Sequence, residues 1–247
     1  VHLDTVPSSD AWSDDPLKLR VADGKAVGLG ACDIKGAVAG LLVAAARTKG
    51  DAAFLFTTDE EANDARCIAA FLASHHGFCE AIVAEPTQCE AVLAHRGIAS
   101  VLMRFRGQAG HASGANALQA NALHHAMRWG ARSLDLVEAE SHSRFGGLTG
   151  LRFNIGRVEG GIKANVIGAE NRRLAARDLA DELGLPIGNA VDFWTEASLF
   201  SAAGLTAFVY GPGDIAQAHT ADEWVALDQL ERYAASLVRI LDGTPSQ

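Results

Sequence analysis

The sequence predicts an α/β fold: a mostly parallel sheet with helices on both faces, interrupted by a small inserted α+β domain. Three observations carry this expectation. Short apolar runs ended by Gly, Pro or Thr alternate with stretches of helical periodicity in residues 1–95 and again in 171–247. Between them, residues 96–170 change to half-apolar alternation around one long helix, the pattern of a separate domain with a solvent or partner face. Finally, a chain of 247 residues that is 49% hydrophobic can bury one large core plus a smaller second one.

Taken in order, Val38, Leu41, Leu42 and Ala45 recur at helical spacing between Asp33 and Thr48, with Gly50 as a stop. "AAFLFTT" reads as a buried strand, residues 65–76 as a helix and "EAIVAEP" as a second strand ended by proline. In the insert, "SVLMRFRGQ" and "GLRFNIGRVEGG" read as half-exposed strands flanking a helix over about 116–138. The parallel pattern then resumes with a helix at "RRLAARDLADELG", a buried strand at "LTAFVYGPG" and a closing amphipathic helix over 226–241.

Composition narrows the function classes. The net charge of −9 and the lack of a Lys/Arg cluster argue against nucleic acid or an anionic membrane surface as partner. Cys32, Cys67, Cys79 and Cys89 form no CxxC pair, which reads as reduced thiols in a cytoplasmic protein. Apolar runs fall short of the ~20 residues that span a bilayer. The opening on Val1, directly into "VHLDTVP", reads as a missing N-terminus.

"VGLGACDIKGAVAG" resembles a glycine-rich nucleotide loop until the third glycine position, which is Asp33. A carboxylate there would repel phosphate, so the turn is expected to hold a cation. His2, Asp4, Asp33, Glu60, Glu61, Glu85 and His219 nearly all lie at predicted strand ends, on one edge of the sheet. Five carboxylates massed there would raise one another's pKa values unless cations sat among them. Two divalent ions sharing a bridging carboxylate meet that demand, with zinc favoured by the mix of His nitrogen and carboxylate oxygen and cobalt as the alternative. A serine nucleophile is not supported, because the chain lacks GxSxG.

"HLDTVP", "GLGACDIKG", "TTDEE", "AEPT", "GQAGHAS" and "GPGDIAQAHTADE" together resemble the co-catalytic zinc deacetylases and aminoacylases, specifically the acetylornithine/acetylcitrulline deacetylase family. The resemblance implies a zinc-exopeptidase-like fold and assigns roles residue by residue. His2 and Glu85 would hold one ion, Glu61 and His219 the other, and Asp33 would bridge them. Asp4 would orient His2, and Glu60 would be the general base toward a water shared by the ions. His111 would stabilise the oxyanion across a homodimer formed by the insert, and Asn165 would lie near the substrate. The activity implied is removal of acetate from an N-acetyl amino acid of arginine biosynthesis, acetylcitrulline ahead of acetylornithine. A related peptidase and a catalytically impaired metal-binding protein stay open. The family's segment after "NVI", with a strand bearing an Arg-Pro motif, has no counterpart after Ile167, which would weaken the dimer and remove a clamp for the substrate carboxylate.

Overall fold

Asp23 and Gly24, both at positive φ (51° and 73°), make the tight turn of the first hairpin, β1 (Arg20–Ala22) and β2 (Lys25–Val27). An Asp-Gly pair adopts this left-handed geometry readily, and its twist matches that of the flanking strands. The structure is a computed structural model that describes residues 1–62, 64–74, 76–97, 103–108, 115–145, 148–155 and 173–243. The chain divides into two units, Val1–His95 with Ala169–Gln247, and Arg96–Gly168.

In the first unit, a tight turn over Ala31–Lys35 leads into α1 (Gly36–Arg47). The helix buries a stripe of small residues, Gly36, Ala37, Gly40 and Ala44, while Leu42 stays 57% exposed. Of the residues whose spacing predicts the helix, Leu42 and Ala45 face outward. The reason is the neighbour: a Cβ on Gly40 would stand 2.5 Å from Cδ1 of Tyr233, so only small residues allow the approach. After α1, "AAFLFTT" does not form the expected buried strand. Phe56 is 38% exposed, and the segment is held by a few bonds to the first residues of the chain rather than by a ladder: the Val1 amino group donates to the Leu55 carbonyl (3.1 Å), Thr57 N to the Val1 carbonyl (3.0 Å) and Leu3 N to the Thr57 carbonyl (2.8 Å). A cavity of about 490 Å³ lined by Phe54, Leu55, Ile82, Tyr233 and Leu237 runs beside it, so the backbone that would complete a ladder is not adjacent. Next come α2 (Arg66–Leu72) and β3 (Glu80–Val83).

The second unit holds α3 (Ala117–Ala120), α4 (Ala122–Ala139) and the hairpin β4 (Arg144–Phe145) with β5 (Leu148–Thr149). The helix expected over 116–138 is broken at Asn121, whose backbone is extended (φ −81°, ψ 117°) and whose side chain accepts from Leu123 N at 2.8 Å. Asparagine favours this cap over a helix interior because its carboxamide competes for backbone donors. The expected strands at 100–108 and 150–161 are not formed where described: residues 103–108 and 151–155 carry no ladder, and the pairing falls on 144–149 instead. Trp129 packs against Phe105 and Phe153, with ring centroids 5.9 and 5.7 Å away. One face of α4 exposes Leu123, Met127 and Leu134.

The first unit resumes with α5 (Arg173–Glu182), α6 (Ala197–Ala202), β6 (Thr206–Val209), β7 (Trp224–Ala226) and α7 (Leu227–Leu241). β3 and β6 pair in parallel, Glu80 opposite Thr206 through Val83 opposite Val209. Alternation sorts their side chains into two cores. Phe208 and Tyr210 join Ala37 and Ala44 of α1, Leu179 of α5 and Tyr233 and Leu237 of α7 on one face. Val83, Ala207 and Val209 meet Ile68 of α2 and Phe200 of α6 on the other. Helices therefore cover both faces. Among the described residues, β3–β6 is the one regular parallel pair, and β1-β2-β7 is an antiparallel sheet. No described helix is long and apolar enough to cross a membrane.

Candidate metal centre

His2 sits in an extended segment bridged to Thr57, which buries its ring to 1% exposure. Nε2 lies 3.0 Å from Asp33 Oδ1, while Nδ1 lies 3.1 Å from the Asp4 carbonyl and 3.4 Å from Asp4 Oδ1. Asp4 Oδ2 accepts from Glu61 N at 3.0 Å, tying the Glu60–Glu61 turn to the His2 segment. Asp4 Oδ1 is buried and has no hydrogen-bond partner among the described residues. From the far end of the unit, His219 at φ 58° places Nε2 3.2 Å from Asp33 Oδ2 and 3.1 Å from Glu61 Oε1. Asp33 thus faces one histidine with each oxygen.

The cluster is charged, with His2, Asp33 and Glu85 buried, Asp4, Glu60 and Glu61 partly so, and His219 half exposed. Burial alone would push Asp33 up, but hydrogen bonds from His2 and His219 hold it down at about 2. His219 is raised to about 10 by its hydrogen bonds to Asp33 and Glu61. For His2, burial opposes the proton, and the Asp33 contact outweighs it, so the net direction is up. Glu60 moves the other way from Asp33: burial, with the Glu61 and Asp33 charges, lifts it to about 7. Glu85 is buried at 4% exposure and pushed well above the usual carboxylate range, by burial first and then by Asp33 and Glu60.

Of the residues singled out from sequence, the structure brings His2, Asp4, Asp33, Glu61 and His219 into direct contact, and couples Glu60 and Glu85 to them by charge. His111 and Asn165 lie outside the described residues. Ligand atoms of His2, Asp33 and Glu61 all fall within 4.8 Å of one another. A compact set of imidazole nitrogen and carboxylate oxygen atoms, crowded with anions that repel one another, suits a borderline divalent cation.

Three buried acids were missed. Asp59, 4% exposed, accepts from Cys67 N at 3.0 Å. Glu196, 2% exposed, accepts from Thr57 Oγ1 at 3.3 Å, and burial raises its pKa. Glu223, 1% exposed, accepts from the amides of Gly30, Cys32 and Asp33. Asp59 and Glu223 belong to quoted motifs, "TTDEE" and "GPGDIAQAHTADE", and Glu196 to none, but a solitary acid beside a helix or strand start carries no local signal of what it will face.

The chain belongs to Peptidase family M20/M25/M40, whose model matches residues 1–243; these are metal-dependent hydrolases. It is similar to the N-acetyl-L-citrulline deacetylase of Xanthomonas campestris pv. campestris, 57% identical over 295 residues that cover 99% of this chain and 81% of the relative. The aligned stretch is longer than the 247 residues present here, so the relative carries sequence that this chain lacks. In fold the chain resembles human carnosine dipeptidase 1 (TM-score 0.57, 13% identity, 97% of this chain and 79% of that one). It also resembles a di-peptidase of Saccharomyces cerevisiae (TM-score 0.54, 10% identity, 98% and 78%). These two support an α/β fold.

Proposed function

We propose that the protein is a dinuclear zinc amidohydrolase that removes acetate from N-acetyl-L-citrulline in the cytoplasm, as a step of arginine biosynthesis. The observation that carries the reading is Asp33, whose two oxygens face two histidines from opposite ends of the unit, at 3.0 and 3.2 Å. This arrangement supports reading Asp33 as a carboxylate shared between two cations. His2 and Glu85 are assigned to one ion and Glu61 and His219 to the other. Zinc fits the mixed donors, and cobalt is the alternative.

Two divalent ions, when bound, supply a Lewis acid for the amide carbonyl and acidify a water at the site. The remaining work falls to the chain. Glu60, buried beside the cluster and free of the assigned ligand set, is assigned to take a proton from the attacking water and to return it to the departing amine as the C–N bond breaks, leaving acetate and the free amino acid. Asp4 orients the His2 ring through its main-chain carbonyl at Nδ1, with Oδ1 as a charge contact 3.4 Å away, and holds the Glu61 amide through Oδ2. His111 is assigned to the oxyanion and Asn165 to the substrate.

A homodimer through the insert is part of this reading. The apolar stripe of Leu123, Met127 and Leu134 on α4 supports it, since such a row is costly to leave in water. Mixing inactive His111→Ala chains with inactive Glu60→Gln chains should restore activity, because one mixed site pairs an intact base with an intact donor; mixed dimers that stay inactive would refute action in trans.

The deciding experiment combines metal analysis with hydrolysis assays on N-acetyl-citrulline, N-acetyl-ornithine and dipeptides. Two ions per chain and preferred release of acetate from N-acetyl-citrulline are expected. Preference for a dipeptide would overturn the substrate, and no hydrolysis by the metal-loaded chain would overturn the activity.

A further inference from the structure

Resting on the metal reading above, we infer that Glu223 is a positioning residue: its carboxylate clamps the Gly30–Asp33 turn so that Asp33 presents one oxygen to each side of the metal site. Gly30 N donates to Oε2 at 3.0 Å, and Cys32 N and Asp33 N donate to Oε1, each at 2.8 Å. Gly28 N adds a fourth bond, 3.0 Å to the Glu223 main-chain carbonyl. The turn is irregular: Asp33 (φ −119°, ψ 86°) and Ile34 (φ −144°, ψ 28°) leave helical geometry, and Gly30 is left-handed at φ 78°. Its amides therefore lack the acceptors that a helix would provide, and a buried amide without an acceptor is costly. An anionic acceptor is also stronger than a carbonyl.

The clamp's place in the chain gives it a second consequence. Glu223 stands four residues after His219 and immediately before β7, which pairs with β2 at Val27 opposite Trp224. One loop thus carries both His219, which contacts Asp33 Oδ2, and the carboxylate that holds the Asp33 backbone. Movement of that loop shifts both partners together. The separation of His219 from Asp33 is thereby set by a short rigid path rather than by the long way around the fold.

The test uses the full chain in metal-free and zinc-loaded states. In the metal-free protein, Glu223→Ala should speed hydrogen exchange at the amides of Gly30, Cys32 and Asp33 by about tenfold or more, with little change in β3 and β6. Glu223→Gln keeps one acceptor oxygen but turns a donor toward one of the amides, so it should give an intermediate effect. Zinc affinity should fall by about 10–100-fold in the Ala variant and less in the Gln variant, the usual range for a group that orients a metal ligand. Leu237→Ala, in the main core, is the control: it should lower the melting temperature while leaving zinc affinity unchanged. Wild-type exchange rates at Cys32 and Asp33 in both Glu223 variants would overturn the clamp. Faster exchange with unaltered zinc affinity would overturn its role toward the metal. A wild-type chain that binds no zinc would instead overturn the metal reading, leaving the exchange result to judge the clamp alone.

Discussion

Asp33 and Glu60 are acids in one cluster, and their surroundings drive them in opposite directions. Asp33 accepts from two histidines and is held at about 2, whereas Glu60, buried beside Glu61 and Asp33, rises to about 7. Burial opposes ionisation at both positions. What differs is hydrogen bonding to the charged form, which two histidines supply at Asp33; at Glu60 burial dominates, repulsion by Glu61 and Asp33 adds to it, and the His2 charge alone does not offset them. The difference separates a carboxylate that stays ionised from one that takes up a proton near neutral pH, and the roles proposed for Asp33 and Glu60 rest on that contrast.

The most severe way to break the contrast is Asp33→Ala. Both ions should be lost, as read by metal analysis, and activity with them; a variant that keeps one ion at full affinity would show that Asp33 does not bridge. Glu60→Gln should keep both ions while turnover falls by about 10²–10⁴-fold. Loss of metal from that variant would mean that Glu60 and Glu61 exchange roles. Asp4→Asn tests the tie between the two turns. It should weaken zinc binding by about 10–100-fold, measured by competition with a chelator, with the larger loss on the ion assigned to His2.

The smallest expected effect is on stability in the metal-free protein, and here the two acids should differ in sign. The folded pKa of Asp33 is depressed, so its ionisation adds stability above the unfolded value of 3.8, and that stability is lost as pH falls through about 2. The folded pKa of Glu60 is raised, so the buried charge costs stability above 4.5, and the cost is complete above about 7. At pH 8, with chelator present, Glu60→Gln should therefore stabilise the chain by about 1–3 kcal/mol, while Asp33→Asn should destabilise it. Urea unfolding of both variants checks this. A destabilised Glu60→Gln at pH 8 would show that the charge at position 60 is solvated or paired.

Elements with strong local periodicity were legible. The helices α5 and α7, and the strands β3 and β6, fall where apolar spacing places them, because each buries a face whose pattern is written within a few residues. The misreadings are equally physical. "AAFLFTT" has the composition of a strand, but a strand needs neighbours, and a cavity lies where a ladder would run. Asn121 breaks the long helix through a side-chain cap that periodicity does not register. On α1 the larger residues drew attention, yet Tyr233 selects the small ones.

The same division holds at the site. By itself the sequence determined the chemistry on offer: Asp33 in place of the third glycine, acids beside Thr57 and Pro86, and His219 in a loop after a buried strand. Short-range rules suffice for this, because residue type and position relative to an apolar run are local properties. Only the tertiary structure decided which oxygen faces which nitrogen, which acid is pulled down and which is pushed up. It also decided that Glu223, 190 residues from Asp33, holds the turn on which the arrangement depends. Hydrogen bonds and desolvation act over a few ångströms, and distance along the chain says nothing about that separation until the loops between are closed.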